Sequence, residues 1–156
     1  GPDIGLRSRK EVAARIDALR ADAAAAPIAS EEIALIDAIL ALRETAPNVL
    51  SALRDIAVDM PAIGDAVAGM DARLDAMAAR GIDVTNLEFE GSYGRTSLEY
   101  YDGFVFGFYA ADRPDHPPVA TGGRYDALTA QLGQGRAVPA VGGVIRPDLA
   151  LGVRAC

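Results

Sequence analysis

No tyrosine, phenylalanine or tryptophan precedes Phe89, so any core built by the first half of this chain must be aliphatic. Alanine, leucine, isoleucine, aspartate and arginine dominate that half, while all five tyrosines, all four phenylalanines and most of the 16 glycines come later. Helices pack well through alanine and leucine, whereas aromatic and β-branched residues suit pleated sheet. The shift therefore predicts a helical region over 1–82 and a strand-rich region over 83–156.

The helical region carries its own punctuation. Ser8 and Glu11 have the spacing of a capping box, and Val12, Ile16 and Leu19 follow at helical intervals. Pro27 ends that helix. Ser30 is placed to cap the next, with Glu31 and Glu32 near its positive end and Ile33, Ile36, Ile39 and Leu40 on its apolar face. Pro47 is read as an interruption before a short third helix bearing Leu50, Leu53 and Ala57. The fourth has the most regular stripe, Ile63, Val67, Met70, Leu74 and Met77, and stops at Gly81. These stripes predict helix packing rather than chemistry.

From Asp83 the period changes. Leu87 and Phe89 alternate with polar residues, and the aromatic run over 98–110 predicts one long strand. A polar turn over 112–118 follows. A further strand is expected over 119–121, ending at Gly122 and Gly123, then a helix over 125–132 that ends at Gly133, Gln134 and Gly135. Residues 137–145 are expected to form a buried final strand. Antiparallel neighbours with helices set apart make an α+β fold.

Composition narrows the chemistry. The 156 residues suffice for a real core, and 51% are apolar against 24% charged, as in a soluble globular protein. No apolar run is long enough to span a bilayer. The net charge of -7, with Lys10 the only lysine, disfavours grip on nucleic acid, which needs clustered cations. Cys156 is the only cysteine, so no internal disulfide forms, which fits a reducing cytoplasm. The opening Gly1-Pro2 has the form of a protease-cleavage scar. His116 is the only histidine and has no second ligand at metal spacing, so no metal site is expected. No phosphate-binding loop or complete dinucleotide fingerprint is present, and no cofactor is expected.

One constellation remains: Tyr100-Tyr101, then Gly122-Gly123-Arg124-Tyr125-Asp126, then Pro139-Ala140-Val141-Gly142-Gly143. Adjacent tyrosines on a strand point to opposite faces, so only one of Tyr100 and Tyr101 would face a given pocket. Paired glycines permit close approach of a ligand to the backbone, and Tyr125 adds a ring and a hydroxyl. Such a site suits a small planar polar ligand. Taken singly, each element also reads as ordinary strand and turn structure.

The segments SLEYYDGFVFGF, ATGGRYDALTAQLG and PAVGGVI resemble, in order, three stretches of histidyl-tRNA synthetases. These are the histidine-recognition motif R-G-L-D-Y-Y-T-G-x-V-F-E, the G-G-R-Y-D-x-L-x-x-x-L-G segment, and the lead-in to class II motif 3. The catalytic arginine that opens the first motif is Thr96 here, with Arg95 one residue out of register. The arginine that ends motif 3 is Leu149, with Arg146 nearby. A charge-assisted clamp on phosphate is lost with threonine or leucine. The chain also ends soon after motif 3, without an anticodon-binding domain.

This combination resembles the regulatory subunits of ATP phosphoribosyltransferase, synthetase paralogues that act in histidine biosynthesis. The resemblance implies that 1–82 is an insertion-like helical region and 83–156 the C-terminal part of a class II synthetase-like core. It implies a non-catalytic protein with no catalytic residues, which partners a short-form catalytic subunit and takes L-histidine as effector. Tyr100, Tyr101, Gly122, Gly123 and Tyr125 would bind histidine, Arg124 would tie its loop to a carboxylate, and Glu99 replaces the usual aspartate. Motifs 1 and 2 are not seen, so a C-terminal fragment with an uncovered sheet edge is expected, and with it self-association. The alternatives are a divergent synthetase fragment that still activates histidine with ATP, and a structural domain whose pocket is a relic.

Overall fold

The computed structural model describes residues 7–93, 100–113 and 115–154. The readings of Arg95, Thr96, Glu99 and Cys156 therefore lie outside the described residues. Helices and antiparallel sheets share the chain, as the α+β expectation requires, and fall into two units, Gly1–Gly91 and Ser92–Cys156.

The first unit opens with α1, Arg9–Ala24, capped as its sequence predicts. The Glu11 N–H donates to Ser8 Oγ at 3.3 Å, and the Ser8 N–H donates to Glu11 Oε2 at 2.7 Å. The donor from Ser8 also holds the Glu11 carboxyl below its usual pKa. Helix α2, Ser30–Ala41, begins differently from expectation. Ala29 is its N-cap and Ser30 its first helical residue, because Glu32 accepts from the Ala29 N–H at 3.3 Å. The first-turn glutamate does the capping without a serine side chain.

A short strand, β1 (Arg43–Thr45), leads directly into α3, Ala46–Asp59. Pro47 does not interrupt the chain: it sits in the first turn of α3, where a missing N–H costs nothing and its fixed φ is already helical. A 3-10 turn over Pro61–Ile63 precedes α4, Gly64–Ala78. Beyond α4, Gly81 takes φ 78, the left-handed conformation that glycine accepts without penalty. Strand β2, Glu88–Glu90, then pairs antiparallel with β1, Phe89 opposite Glu44. The Ala46 and Gly91 N–H groups extend the pairing to Leu87 and Leu42 carbonyls, each at 2.7 Å. Leu87 and Phe89 thus close onto the helical unit rather than joining the later strands.

The core of this unit is Ala46, Val49, Leu50 and Leu53 from α3 against Val67, Met70 and Leu74 from α4. The α4 stripe packs as its spacing predicts, and Ile39, Leu42, Val84, Leu87 and Phe89 cover the margins. Helices α1 and α2, by contrast, have no buried residue. The α1 stripe is helical in spacing but is not used in this core, and α2 reaches it only through Ile39.

The second unit is a three-stranded antiparallel sheet ordered β3-β4-β5. Its strands are β3 (Val105–Phe108), β4 (Ala120–Arg124) and β5 (Val141–Ile145), with α5 (Asp126–Leu132) between β4 and β5 and α6 (Pro147–Arg154) after them. Three expectations are corrected here. The aromatic run is no single long strand: only Val105–Phe108 pairs, because the chain at Asp102 turns across the end of β4, where its N–H donates to Arg124 O at 3.0 Å. Gly122 and Gly123 lie within β4 rather than ending it. Strand β5 is an edge strand whose Ile145 is 72% exposed, not a buried one. The helix α5 ends as expected, with Gln134 at φ 55 and Gly135 at φ 93.

Candidate functional site

Because Tyr100 and Tyr101 lie outside the sheet, ahead of β3, the alternation of a strand does not apply, and both rings reach the same place. Tyr100, Tyr101 and Tyr125 form a triangle with ring centroids 4.8, 5.4 and 6.3 Å apart. The expectation that only one of the adjacent tyrosines faces a common site is thereby corrected. Tilted and edge-to-face contacts of this kind favour aromatic clusters beyond their buried area. Tyr101 is buried at 7% exposure, Tyr100 is 38% exposed, and Tyr125 lies between. Burial, then its hydrogen bond with Tyr100, pushes the Tyr101 phenol above its usual pKa, so it stays a neutral hydroxyl near pH 7.

The glycines make room for these rings. A Cβ on Gly123 would stand 2.8 Å from the Tyr101 ring and 2.8 Å from Phe104 O. One on Gly142 would stand 2.9 Å from the Tyr125 hydroxyl. Gly122 faces the Phe106 ring and the β5 backbone, and it pairs with Phe106 and Gly143 in the ladder. The space over Gly123 and Gly142 is thus filled by tyrosine rings, and that over Gly122, on the other face of the sheet, by Phe106.

Two carboxylates hold the segments together. Asp102 Oδ1 accepts from the Asp126 N–H at 3.1 Å, and its Oδ2 accepts from the Ala127 N–H. A residue distant in sequence therefore caps α5, binding free backbone donors that have no partner within the helix. Asp126 in turn accepts from Arg124 Nε and Nη2 at 2.9 and 2.7 Å, and from the Ala140 N–H at 2.8 Å. Arg124 thus ties its loop to a carboxylate, the role its sequence position implied. Sequence reasoning missed Asp102, since nothing local marks it as the cap of a helix that begins at Asp126. Asp102→Ala is expected to cost the second unit about 1 kcal/mol. The melting of the tyrosine near-ultraviolet dichroism reads this directly, since every tyrosine lies in that unit.

The Arg124 hydrogen bond, then the Ala140 N–H, lowers the Asp126 pKa. A carboxylate depressed in the folded state stabilises fully above its unfolded pKa of about 3.9 and loses that contribution as pH falls through the lower folded value. Wild type is therefore expected to melt above Asp126→Asn at neutral pH, with the gap closing below about pH 4. A gap that persists unchanged into strong acid would count against the ion pair as its source.

Arg146, the cation near the motif 3 position, is engaged within the fold: its guanidinium donates to Pro118 O at 3.3 Å and to Thr121 Oγ1 at 3.2 Å. Leu149, at the position itself, lies on α6. His116 sits in the turn before β4, its Nδ1 2.9 Å from Pro117 O. Among the described residues no helix is long and apolar enough to cross a membrane.

Known proteins similar to this chain identify its family. The family model described as Histidyl-tRNA synthetase matches residues 6–148. The chain is also similar to proteins named ATP phosphoribosyltransferase regulatory subunit from Brucella canis, Brucella suis and Brucella melitensis. It is 33% identical to each over 137 residues, covering 87% of this chain. It spans 36% of the length of each of these relatives. The match takes in both units and all three motif segments, and the chain belongs to the histidyl-tRNA synthetase family.

Proposed function

We propose that this chain is part of a non-catalytic regulatory subunit of ATP phosphoribosyltransferase, acting at the first step of histidine biosynthesis with a short-form catalytic subunit as partner. The relatives' names support the regulatory assignment. The observation that carries the site is the convergence of Tyr100, Tyr101 and Tyr125 over a glycine-rich sheet. We assign that cluster, with Gly123 and Gly142 beneath it, to L-histidine; Gly122 faces the Phe106 ring on the other side of the sheet and supports the strand rather than the ligand. The phenol rings supply stacking surface for an imidazole, and their hydroxyls supply donors and acceptors. The glycines serve by letting the rings seat against the backbone.

Regulation then follows from differential affinity. Histidine shifts the complex only if it binds one state more tightly than the other, and the catalytic subunit must in turn alter histidine affinity by the same factor. An effector site on the synthetase-like chain, away from the transferase chemistry, meets that requirement.

The other reading is a synthetase that activates histidine with ATP, which the name of the matching family favours. Against it stand the leucine at the motif 3 position and the engagement of Arg146 by Pro118 and Thr121. Histidine-dependent pyrophosphate exchange decides between them: the regulatory reading expects none, and measurable exchange would establish the enzyme. Tyr125→Ala tests the site itself. It removes one ring of the triangle, and histidine affinity is expected to fall by about tenfold or more, a loss of at least about 1.4 kcal/mol. Unchanged affinity would place the ligand elsewhere or make the cluster purely structural.

A further inference from the structure

The two faces of the β3-β4-β5 sheet carry different chemistry. On one face Phe104, Phe106 and Phe108 recur at every second residue with centroids 6.3 and 5.7 Å apart, and Phe106 covers Gly122. The tyrosines take the other face: Tyr101 lies over Gly123, Tyr125 over Gly142, and Tyr93 and Tyr109 over Gly107. Residues two apart on a strand share a face, as do residues paired across it. Gly107, Thr121 and Val144 are paired in one row on the tyrosine face, next to the row of Val105, Gly123 and Gly142.

Arg146 joins this face. Its N–H donates to Val119 O at 2.8 Å, one step beyond β5, so alternation puts its side chain on the side of Val144 and Gly142. The guanidinium donates to Thr121 Oγ1 at 3.2 Å, and Thr121 lies about 7 Å along β4 from Gly123, the glycine beneath Tyr101. Its other bond goes to Pro118 O at 3.3 Å. Both acceptors are neutral, and among the described residues no carboxylate pairs with Arg146, whereas Arg124 has Asp126. Arg146 is half-buried. A cation drawn partly out of water calls for an anion, and the two bonds occupy only two of the five N–H donors of a guanidinium. Between Arg146 and the tyrosine cluster the face is open, for Val144 is 48% exposed.

We propose that Arg146 binds the α-carboxylate of the amino acid whose side chain lies on the tyrosine cluster, with Thr121 holding the guanidinium in place. The cation and the phenol rings stand at the two ends of an open stretch about as long as one histidine molecule. The planar fork of a guanidinium matches a carboxylate through paired N–H···O bonds. Its tether to Thr121 and Pro118 keeps it on the sheet, where it serves a ligand lying along β4, and spares the ligand the cost of ordering it. The proposal rests on the histidine reading of the cluster and adds what separates an amino acid from other imidazoles.

Calorimetric titration of L-histidine and of L-histidinol, which has a hydroxymethyl group in place of the carboxylate, tests it in this chain and in the longest protein that carries it. Wild type is expected to bind L-histidine about tenfold or more tighter than L-histidinol. Arg146→Gln should erase that preference by weakening L-histidine alone, and Arg146→Lys, which keeps the charge without the fork, should retain part of it. The tyrosine dichroism of each variant checks that the second unit stays folded. Equal affinity of wild type for the two ligands overturns the proposal. So does an Arg146→Gln protein that keeps the preference or loses both ligands equally; in each of these cases the histidine reading stands if Tyr125→Ala weakens both ligands. Binding of neither ligand, or binding indifferent to Tyr125→Ala, overturns the histidine reading and this proposal with it.

Discussion

Gly122→Val is expected to destroy the ordered second unit, and with it the tyrosine cluster. Gly122 is buried in the middle strand of the sheet, opposite Phe106 on one side and Gly143 on the other. Even a methyl group there would collide with the Phe106 ring and with the backbone of β5. Backbone cannot step aside as a flexible side chain can, so the strands must part or Phe106 must leave its place. Overpacking a tight interior costs about 1–3 kcal/mol even where some relaxation is available. A branched side chain between two ladder neighbours lies at or above the top of that range. A small domain is typically stable by only about 5–15 kcal/mol, so such a loss is a large fraction of the whole. Near-ultraviolet dichroism reads the outcome, since the chain has no tryptophan and its tyrosines all belong to this unit. A native tyrosine spectrum and an unchanged melting midpoint would show that the sheet is looser than its ladder register indicates.

Val49→Asp is expected to do the same to the helical unit. Val49 is fully buried, between α3 and the α4 stripe of Val67, Met70 and Leu74. No buried polar or charged side chain lies near it among the described residues, so a new carboxylate would find no partner. An uncompensated buried charge costs about 3–5 kcal/mol, and the lost valine packing adds to this. Far-ultraviolet ellipticity at the helical bands should fall sharply. The exposed ion pair between Arg54 and Asp71, which also joins α3 to α4, sets the contrast. Both partners are well exposed, at 54% and 44%, so removing it moves stability by less than about 1 kcal/mol.

What the sequence made legible follows from how local each signal is. The Ser8–Glu11 box, the turn at Gly81 and the α4 stripe are settled within a few residues, and each is seen in the structure. Pro47 was misread because proline marks both the end and the first turn of a helix, and only the preceding strand β1 decides between them. Strand β1 itself, three residues long, has no period to detect. In the aromatic run, β-propensity announced sheet but could not say where pairing starts. That is fixed by Asp102, whose bonds go to Arg124, Asp126 and Ala127 far along the chain. The site residues were named from motif resemblance. The meeting of the three tyrosines as one triangle depends on Tyr100 and Tyr101 lying outside the ladder, which strand alternation denies.

The carboxylates of Asp102 and Asp126 fix the ends of the segments that carry Tyr101 and Tyr125, and the glycines admit the rings. Preorganisation of this kind spares a ligand the cost of ordering its own site.

Calorimetric titration of L-histidine into this chain, and in parallel into the longest protein that carries it, tests the central claim most directly. Saturable one-site binding that Tyr125→Ala weakens by about tenfold or more is the expected result. Absence of heat and of competition in both proteins, or binding indifferent to Tyr125→Ala, would contradict it.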